Sequence, residues 1–261
     1  MFTFTQGQIN AWLALFWWPF LRIFGLFLTD PFFSSRVIPV RVRIGFSIML
    51  ALLIAPGLVD VPVVSVVSPE GLLIALKELL IGLSIGFVVR LVFTGMEMAG
   101  HLSGLQMGLG FASFYDPQHS TNVPIVAQVL SLFMLLVFLA FNGHLIVLRA
   151  LFESYAQLPI STGLPGAGGL RLMADYGAIV FRAGVMLSLP VVAVLLVTNL
   201  AIGVMTRAAP QLNVFAIGFP ITLGIGLGTL YLLLPFLVPH VDALLGEMTR
   251  FWIKLLHAYR V

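Results

Sequence analysis

The sequence predicts an all-α, polytopic membrane protein, and this prediction rests on composition and on the pattern of apolar residues. Only 9% of the 261 residues are charged and 60% are hydrophobic, whereas about 25% of residues are charged in a typical soluble domain. The mean hydropathy is +1.11. The apolar residues form six long continuous runs without alternation, which favours helices over strands. A helix also satisfies its own backbone polar groups in lipid.

Each apolar stretch is close to the ~20 residues that a helix needs to cross ~30 Å of hydrocarbon. We therefore predict about six long helices, arranged as hairpins, over residues 9–28, 40–58, 72–98, 123–148, 178–204 and 214–238. Proline and glycine residues mark the loops that connect these predicted helices. Residues 158–170 contain two prolines and four glycines and are expected to form a flexible loop. The apolar spacing in residues 241–261 predicts an amphipathic helix at a membrane interface.

The residue types exclude several classes of function. The chain has no cysteine, which excludes disulfides and thiolate sites, and its five histidines show no metal-binding spacing. The net charge is +3, but the 13 basic residues are scattered, so no cluster follows a nucleic-acid backbone. We therefore predict no enzyme activity, no cofactor, no metal and no nucleic-acid partner.

Six ionisable side chains interrupt the apolar stretches, and each would cost about 2.5–3.5 kcal/mol at the centre of a bilayer. They are Arg22, Lys77, Glu78, Arg90, Glu97 and Arg182. Such groups need partners, a water-filled cavity or a place outside the bilayer. Lys77 and Glu78 lie near the start of their stretch and can also snorkel. We interpret Lys77, Glu78, Arg90 and Glu97 as buried charges, and no second carboxylate lies at the spacing of a proton relay.

Glycines recur at four-residue spacing, which places them along one face of a helix. They form the pairs Gly82 and Gly86, Gly100 and Gly104, and Gly224 and Gly228. Such glycines let two helix backbones approach closely where no hydrophobic effect drives association. We predict that these glycines pack helices together. The spacing leaves open whether the partner helix belongs to this chain or to another subunit.

A loop with bulky apolar members separates the third and fourth stretches. This 106–122 segment reads QMGLGFASFYDPQHSTN. Exposed aromatic side chains in a loop between membrane segments are energetically unfavourable unless they pack into an apolar space. Two interpretations stay open: an interfacial loop with its aromatics at headgroup level, or a plug across a lumen. The candidate residues are Met107, Gly108, Gly110, Phe111, Phe114, Tyr115 and Pro117.

Residues 199–220 carry the most specific motif in the chain. They read NLAIGVMTRAAPQLNVFAIGFP, with RAAPQLNVF as the core. This motif resembles the signature of the FliR/SctT family of type III secretion export-gate subunits. Further matches follow in order along the chain, among them IPVRVRIG at 38–45 and FNGH at 141–144. The motif residues expected to form a turn or an inter-subunit contact are Asn199, Arg207, Pro210, Gln211, Asn213 and Phe215.

The resemblance implies a non-enzymatic subunit of the flagellar export gate. It places the chain in the bacterial inner membrane, in the flagellar basal body, with the gate partly raised toward the periplasm. FliR-like proteins assemble with P-type and Q-type subunits, FliP and FliQ, into a right-handed helical bundle around a pore. A B-type switch protein, FlhB, and an A-type export protein, FlhA, complete the apparatus. Unfolded flagellar substrates then pass through the pore.

The resemblance also implies a division of labour along the chain. Residues 1–175 resemble a P-type subunit, while residues 176–261 resemble a Q-type helical hairpin followed by the amphipathic helix. The 106–122 segment resembles the plug that closes the pore until export. Phe111 and Phe114 would exclude water and ions, and the glycines and Pro117 would act as hinges.

Two other functions remain as alternatives. The first is the equivalent gate subunit of a virulence injectisome, which has the same architecture and a different cargo. The second is a stand-alone secondary transporter, which should show inverted repeats and broken helices in its two halves. No such repeat is visible between the halves of the sequence, which argues against a transporter. The matches at Asn142-Gly143-His144 and Asp116-Pro117 favour the flagellar gate over the injectisome.

Overall fold

The computed structural model describes residues 5–35, 37–58, 61–111, 125–163, 165–209 and 214–260. These residues form α-helices and short 3₁₀ turns without any strand, so the all-α prediction is confirmed. The helices are α1 (Gln6–Thr29), α2 (Val40–Ile54), α3 (Pro69–Gln106), α4 (Ile125–Ala140), α5 (Gly143–Gln157), α6 (Ala167–Tyr176), α7 (Ala178–Ala208) and α8 (Val214–Arg260). The 3₁₀ turns lie at Ala55–Gly57 and Leu109–Phe111.

The polytopic prediction also holds. By length and composition, five helical stretches of the described residues can cross a membrane, or six if the bent pair α4 and α5 counts as one span. Because all of these helices are strongly apolar, and many of their large side chains stay exposed on the isolated chain, the surrounding medium is lipid or other apolar protein.

The fourth predicted helix is wrong as a single element. Residues 123–148 fall on two helices, because α4 ends at Ala140 and α5 begins at Gly143 with a bend of 66° between them. Asn142 at the break has φ 55. Asparagine tolerates this left-handed conformation better than most residues, so an Asn-Gly pair turns the chain inside an apolar run.

Two further expectations about the second half of the chain are corrected. The loop predicted at 158–170 contains the start of α6. The last span and the predicted interfacial helix are one continuous helix, α8, which is 47 residues long and contains three prolines. Prolines are tolerated in long membrane helices because neighbouring groups satisfy the freed carbonyls, so they did not mark an end here.

The chain forms two compact units. Unit 1 comprises Met1–Arg90, Asn142–Gly177 and Gly246–Val261, and unit 2 comprises Leu91–Phe141 and Ala178–Leu245. The division into P-like and Q-like parts concerns resemblance to other subunits, and it remains a prediction.

The core of unit 1 includes the C-terminal end of α8. The Trp252 indole donates to the carbonyl of Ile85 at 3.3 Å, and the Tyr259 hydroxyl lies 2.7 Å from Ser84 Oγ. The Phe251 ring stacks on Tyr176 with centroids 3.8 Å apart. The apolar face that predicted an interfacial helix is therefore buried within the chain itself.

Candidate functional site

A buried ion pair joins α1 to α3 in unit 1. Arg22 donates from Nε to Glu78 Oε2 at 2.6 Å and from Nη2 to Oε1 at 3.0 Å, and both side chains have 0% exposure. This two-bond geometry is the strongest form of the Arg–carboxylate interaction. The pair also neutralises two charges that would be costly singly in an apolar environment.

The remaining donors of Arg22 bind α5 and the residue after it. Nη1 donates to Ser154 Oγ at 3.0 Å, and Nη2 donates to the carbonyl of Leu158 at 2.9 Å. The guanidinium also lies 4.2 Å from the ring centroid of Tyr155, within the range of a cation–π interaction. Arg22 therefore holds three parts of unit 1 together, which the sequence did not reveal.

Lys77 and Glu78 are both buried, so the snorkelling alternative does not apply in this structure. Lys77 keeps 5% exposure and donates to Ser161 Oγ at 2.6 Å. The other two expected buried charges are different. Arg90 is exposed on the chain, and the Glu97 carboxylate is 46% exposed with His101 Nε2 at 3.8 Å. In the described part of the chain, Arg90 and Glu97 are therefore not buried, contrary to the prediction.

Two of the predicted glycines bring α1 and α3 into backbone contact within unit 1. A Cβ at Gly82 would overlap the carbonyl of Arg22, and one at Gly86 would lie 2.7 Å from the carbonyl oxygen of Leu26. Gly25 on α1 makes the reciprocal approach, since its Cβ would lie 2.7 Å from Leu79 O. Gly25 was missed because no second glycine lies four residues away.

Asp30 lies directly after α1 and has 0% exposure. Its Oδ1 accepts the backbone N–H groups of Phe32 and Phe33 at 2.8 and 2.9 Å. Its buried Oδ2 has no hydrogen-bond partner among the described residues. Burial raises the pKa of Asp30 from 3.8 to about 6, while the two backbone hydrogen bonds act in the opposite direction. A buried carboxyl with one unpaired oxygen should make folding stability depend on pH.

We expect Asp30→Asn to remove a pH dependence from the folding of this chain. The folded pKa lies above the ordinary value, so the wild-type chain should lose stability as pH rises from about 4 through about 6. Asparagine keeps the accepting Oδ1 and cannot ionise. The variant should be more stable at pH about 8, by up to about 3 kcal/mol, with the gap closing below pH about 4. Thermal unfolding of both proteins in detergent across this pH range tests the prediction. The same dependence of stability on pH in the wild type and in the variant would contradict it.

In unit 2, Met107 fills a gap left by a glycine of α8. Met107 has 0% exposure and belongs to a core cluster with Val126, Val191 and Leu195. A Cβ at Gly226 would lie 2.6 Å from Met107 Cγ and 2.8 Å from its Cε. A side chain at position 226 would therefore displace Met107, and the four-residue repeat did not predict this position.

A glycine in a left-handed backbone conformation directly follows Met107. Gly108 has φ 82, a left-handed conformation that costs a residue with a side chain about 1–2 kcal/mol. Gly110 follows in the 3₁₀ turn Leu109–Phe111. The side chain of Phe111, and residues Phe114, Tyr115 and Pro117 altogether, lie outside the described part of the chain. The plug role of these aromatics remains a prediction.

The other predicted glycines of unit 2 differ in their surroundings. A Cβ at Gly100 would lie 2.7 Å from the backbone nitrogen of Ala127 on α4, and Gly104 is buried. Gly224 and Gly228 face open space on α8. Among the described residues, Gly100 therefore makes a close helix contact within the chain, and the packing role of Gly224 and Gly228 stays a prediction.

The motif residues that the structure describes lie on the outside of α7. Asn199 and Arg207 are exposed, and Arg207 is in the last turn of α7, where a cation complements the helix dipole. Pro210, Gln211 and Asn213 lie outside the described residues, as does the side chain of Phe215, whose backbone is in α8. Their role as a turn or inter-subunit motif stays a prediction.

No side-chain arrangement in the described ranges resembles a metal centre. Among the described residues, no three His, Cys, Asp or Glu side chains lie close enough together to hold one ion. The buried polar side chains around Arg22 instead bind one another, through the bonds of Arg22 to Glu78, Ser154 and Leu158. These polar groups hold helices in place.

Comparison with known proteins identifies the family. Residues 13–248 match the model of a family described as bacterial export proteins, family 1. The chain is 40% identical to the flagellar biosynthetic protein FliR of Pectobacterium carotovorum subsp. carotovorum over 248 residues, which cover 95% of each chain. It is 39% identical to FliR of Escherichia coli strain K12 over 250 residues, again 95% of each. It is 32% identical to FliR of Bacillus subtilis strain 168 over 209 residues, 79% of this chain and 80% of the relative. The resemblance read from residues 199–220 is therefore confirmed, and the chain belongs to bacterial export protein family 1, the family of the flagellar FliR proteins.

Proposed function

We propose that this chain is a non-enzymatic subunit of the flagellar type III export gate in the bacterial inner membrane. The observation that carries the proposal is the match of residues 13–248 to a family of export proteins, together with flagellar relatives that align along nearly the whole chain. Its partners would be the P-type and Q-type gate subunits, FliP and FliQ, with FlhB and FlhA beside them. Unfolded flagellar proteins would be the cargo.

The exposed apolar surface of unit 2 supports a role inside a larger assembly. Many large side chains on α7, and on the part of α8 that belongs to unit 2, are exposed in the isolated chain, including Leu200 at 71% and Tyr231 at 75%. Gly224 and Gly228 are open on the same helix as Tyr231. Small residues of this kind let a second helix approach closely. Lipid alone does not need such glycines, so helices of neighbouring subunits are the better fit.

Deletion of the gene in its own host tests which proteins the gate exports. A deletion strain should secrete no rod, hook or filament protein and should be non-motile, and a plasmid copy should restore both. Normal flagellation combined with loss of a virulence effector would instead support the injectisome alternative. Normal secretion of both cargo types would contradict any role in protein export.

The 106–122 segment is proposed to close the gate when no substrate is present. Apolar side chains at a constriction exclude water and ions, and Phe111 and Phe114 are the expected closing groups. Deleting residues 110–114 should raise the leakage of small ions through the assembled gate several-fold, because the constriction would stay wet. Conductance or ion-sensitive growth of cells that express the whole gate measures this, and co-purification of the gate subunits controls for assembly. Unchanged leakage through an intact assembly would argue against the plug.

A further inference from the structure

The final turns of α8 carry a row of basic side chains on their exposed face. Arg250, Lys254 and His257 are exposed at intervals of four and three residues, and Arg260 is exposed one turn further on. Residues at these intervals share one face of a helix. Residues 248–261 contain no Asp or Glu, and among the described residues no ion pair involves Arg250, Lys254 or Arg260. We call Arg250, Lys254, His257 and Arg260 the basic stripe.

The other face of these turns is buried, which fixes the basic stripe on the outside of unit 1. Trp252, Leu255 and Tyr259 have 2%, 0% and 3% exposure. The side chains of Trp252 and Tyr259 also form hydrogen bonds to α3. The stripe is therefore a set of positive charges held on an anchored helix, and such a set attracts an anionic partner.

An apolar groove lies beside the basic stripe, between α5 and the end of α8. Its volume is about 290 Å³, at the lower end of the range for ligand sites. The apolar lining includes Ile146 and Ala150 of α5, and Ile253 and Leu256 of α8. Ile253 is 44% exposed and precedes Lys254 directly, so the groove and the stripe form one continuous surface.

The polar groups of the groove leave the positive charge of the stripe unopposed. Arg149 and Glu153 of α5 both line the groove and pair with each other at 2.7 Å, so their charges offset one another. Gln157 Oε1 also belongs to the lining, and it is buried without a hydrogen-bond partner among the described residues. An acceptor of this kind suits a ligand that carries a hydroxyl group.

The pairing of positive charge with an apolar groove matches the chemistry of a phospholipid. Residues 214–241 contain no Asp, Glu, Lys or Arg, whereas residues 242–260 contain five. The charges thus begin where a long apolar stretch ends, and basic residues at such a boundary attract anionic headgroups. A phosphate group on the stripe and an acyl chain in the groove would satisfy both parts of the surface.

We propose that the basic stripe and the adjoining groove form a binding site for an anionic phospholipid, with its phosphate on Arg250 and Lys254 and an acyl chain between α5 and α8. The proposal concerns unit 1 alone and does not depend on which cargo is exported. An acidic segment of a protein is the competing occupant. It would use the charges of the stripe without filling the groove.

Native mass spectrometry of the full chain in mild detergent tests the proposal, with phosphatidylglycerol as the anionic lipid and phosphatidylcholine as the zwitterionic comparison. The double variant R250Q/K254Q should bind phosphatidylglycerol about 30-fold more weakly, because each basic group near an anionic lipid contributes about a five-fold factor. Its binding of phosphatidylcholine should not change. Both side chains are exposed, so the variant should fold, and the charge-conserving R250K/K254R should bind as the wild type does.

Two further variants separate the site from net charge and from headgroup binding alone. R41Q/R207Q removes two exposed arginines on other helices and changes the net charge equally, so it should bind phosphatidylglycerol as the wild type does. Ile253→Trp adds bulk to the groove without changing the charge, and it should weaken binding of phosphatidylglycerol several-fold.

Three results would overturn the proposal. Equal losses in R250Q/K254Q and R41Q/R207Q would show that net charge alone governs binding. Equal affinity of the wild type for phosphatidylglycerol and phosphatidylcholine would show that the stripe does not select an anionic lipid. Unchanged lipid binding in Ile253→Trp, together with binding of a polyglutamate peptide that R250Q/K254Q abolishes, would assign the stripe to an acidic protein segment instead.

Discussion

Replacing Glu78 with alanine is expected to destabilise the folded chain by about 3–5 kcal/mol, because Arg22 would stay buried without its counter-charge. Arg22 has 0% exposure and four hydrogen bonds, two of them to Glu78. Without Glu78, the positive charge of Arg22 would have to remain unpaired in the core or drive α1 and α3 apart. Unfolding of the purified chain by denaturing detergent measures the change.

Two further variants make this prediction specific. Replacing both Arg22 and Glu78 with methionine removes the charges together and should recover much of the lost stability, since apolar replacements of buried pairs are often close to neutral. The exposed pair of Arg149 and Glu153, with 80% and 47% exposure in the same unit, is the matched control. Glu153→Ala should cost no more than about 0.5 kcal/mol. A double variant as unstable as the sum of its single variants would contradict the account of the pair.

Replacing Gly82 with alanine should lower the free energy of unfolding by about 3 kcal/mol or more, through its effect on unit 1. The Cβ would overlap the carbonyl group of Arg22, and it would lie 3.0 Å from the backbone nitrogen of Leu26. Backbone atoms cannot move aside as a flexible side chain can, so α1 and α3 would have to separate. This shift would also stretch the bonds between Arg22 and Glu78, and strain of this kind accounts for the largest effects of single substitutions.

Gly45 provides the control for the Gly82 substitution. It lies in α2 of unit 1, and nothing lies within 4 Å of a Cβ built there. Gly45→Ala should leave stability unchanged or raise it by up to about 1 kcal/mol, because alanine is the better helix former. The same unfolding experiment measures both variants. Wild-type stability of Gly82→Ala would show that α1 and α3 do not pack as closely as described.

The helices were largely predictable because hydrocarbon thickness imposes a local rule on the sequence. Five of the six predicted stretches fall within a single helix of the structure or on a helix and its terminal turn. The exception contains the bend at Asn142. Its Asn-Gly pair is a turn signal, but the apolar residues on both sides of it dominate the hydropathy pattern. A turn inside an apolar stretch was therefore the feature that the hydropathy pattern failed to predict.

The contacts of the candidate site were less predictable because they depend on tertiary structure. Arg22 and Glu78 are 56 residues apart, and no spacing rule connects them. A useful signal was available, since Arg22 is the one basic residue in the first apolar stretch and needed an acid from another stretch. The four-residue glycine repeat on α8 predicted Gly224 and Gly228, which face open space, whereas Met107 packs against Gly226 between them.

We propose that this chain functions as one subunit of a multi-subunit export gate. The most direct test is the native mass of the complex purified in mild detergent after co-expression with its P-type and Q-type neighbours. We expect a single large complex that contains this chain together with both partners. A monomer or homodimer that leaves the P-type and Q-type subunits unbound would contradict the account, and transport of small molecules would then be the function to test.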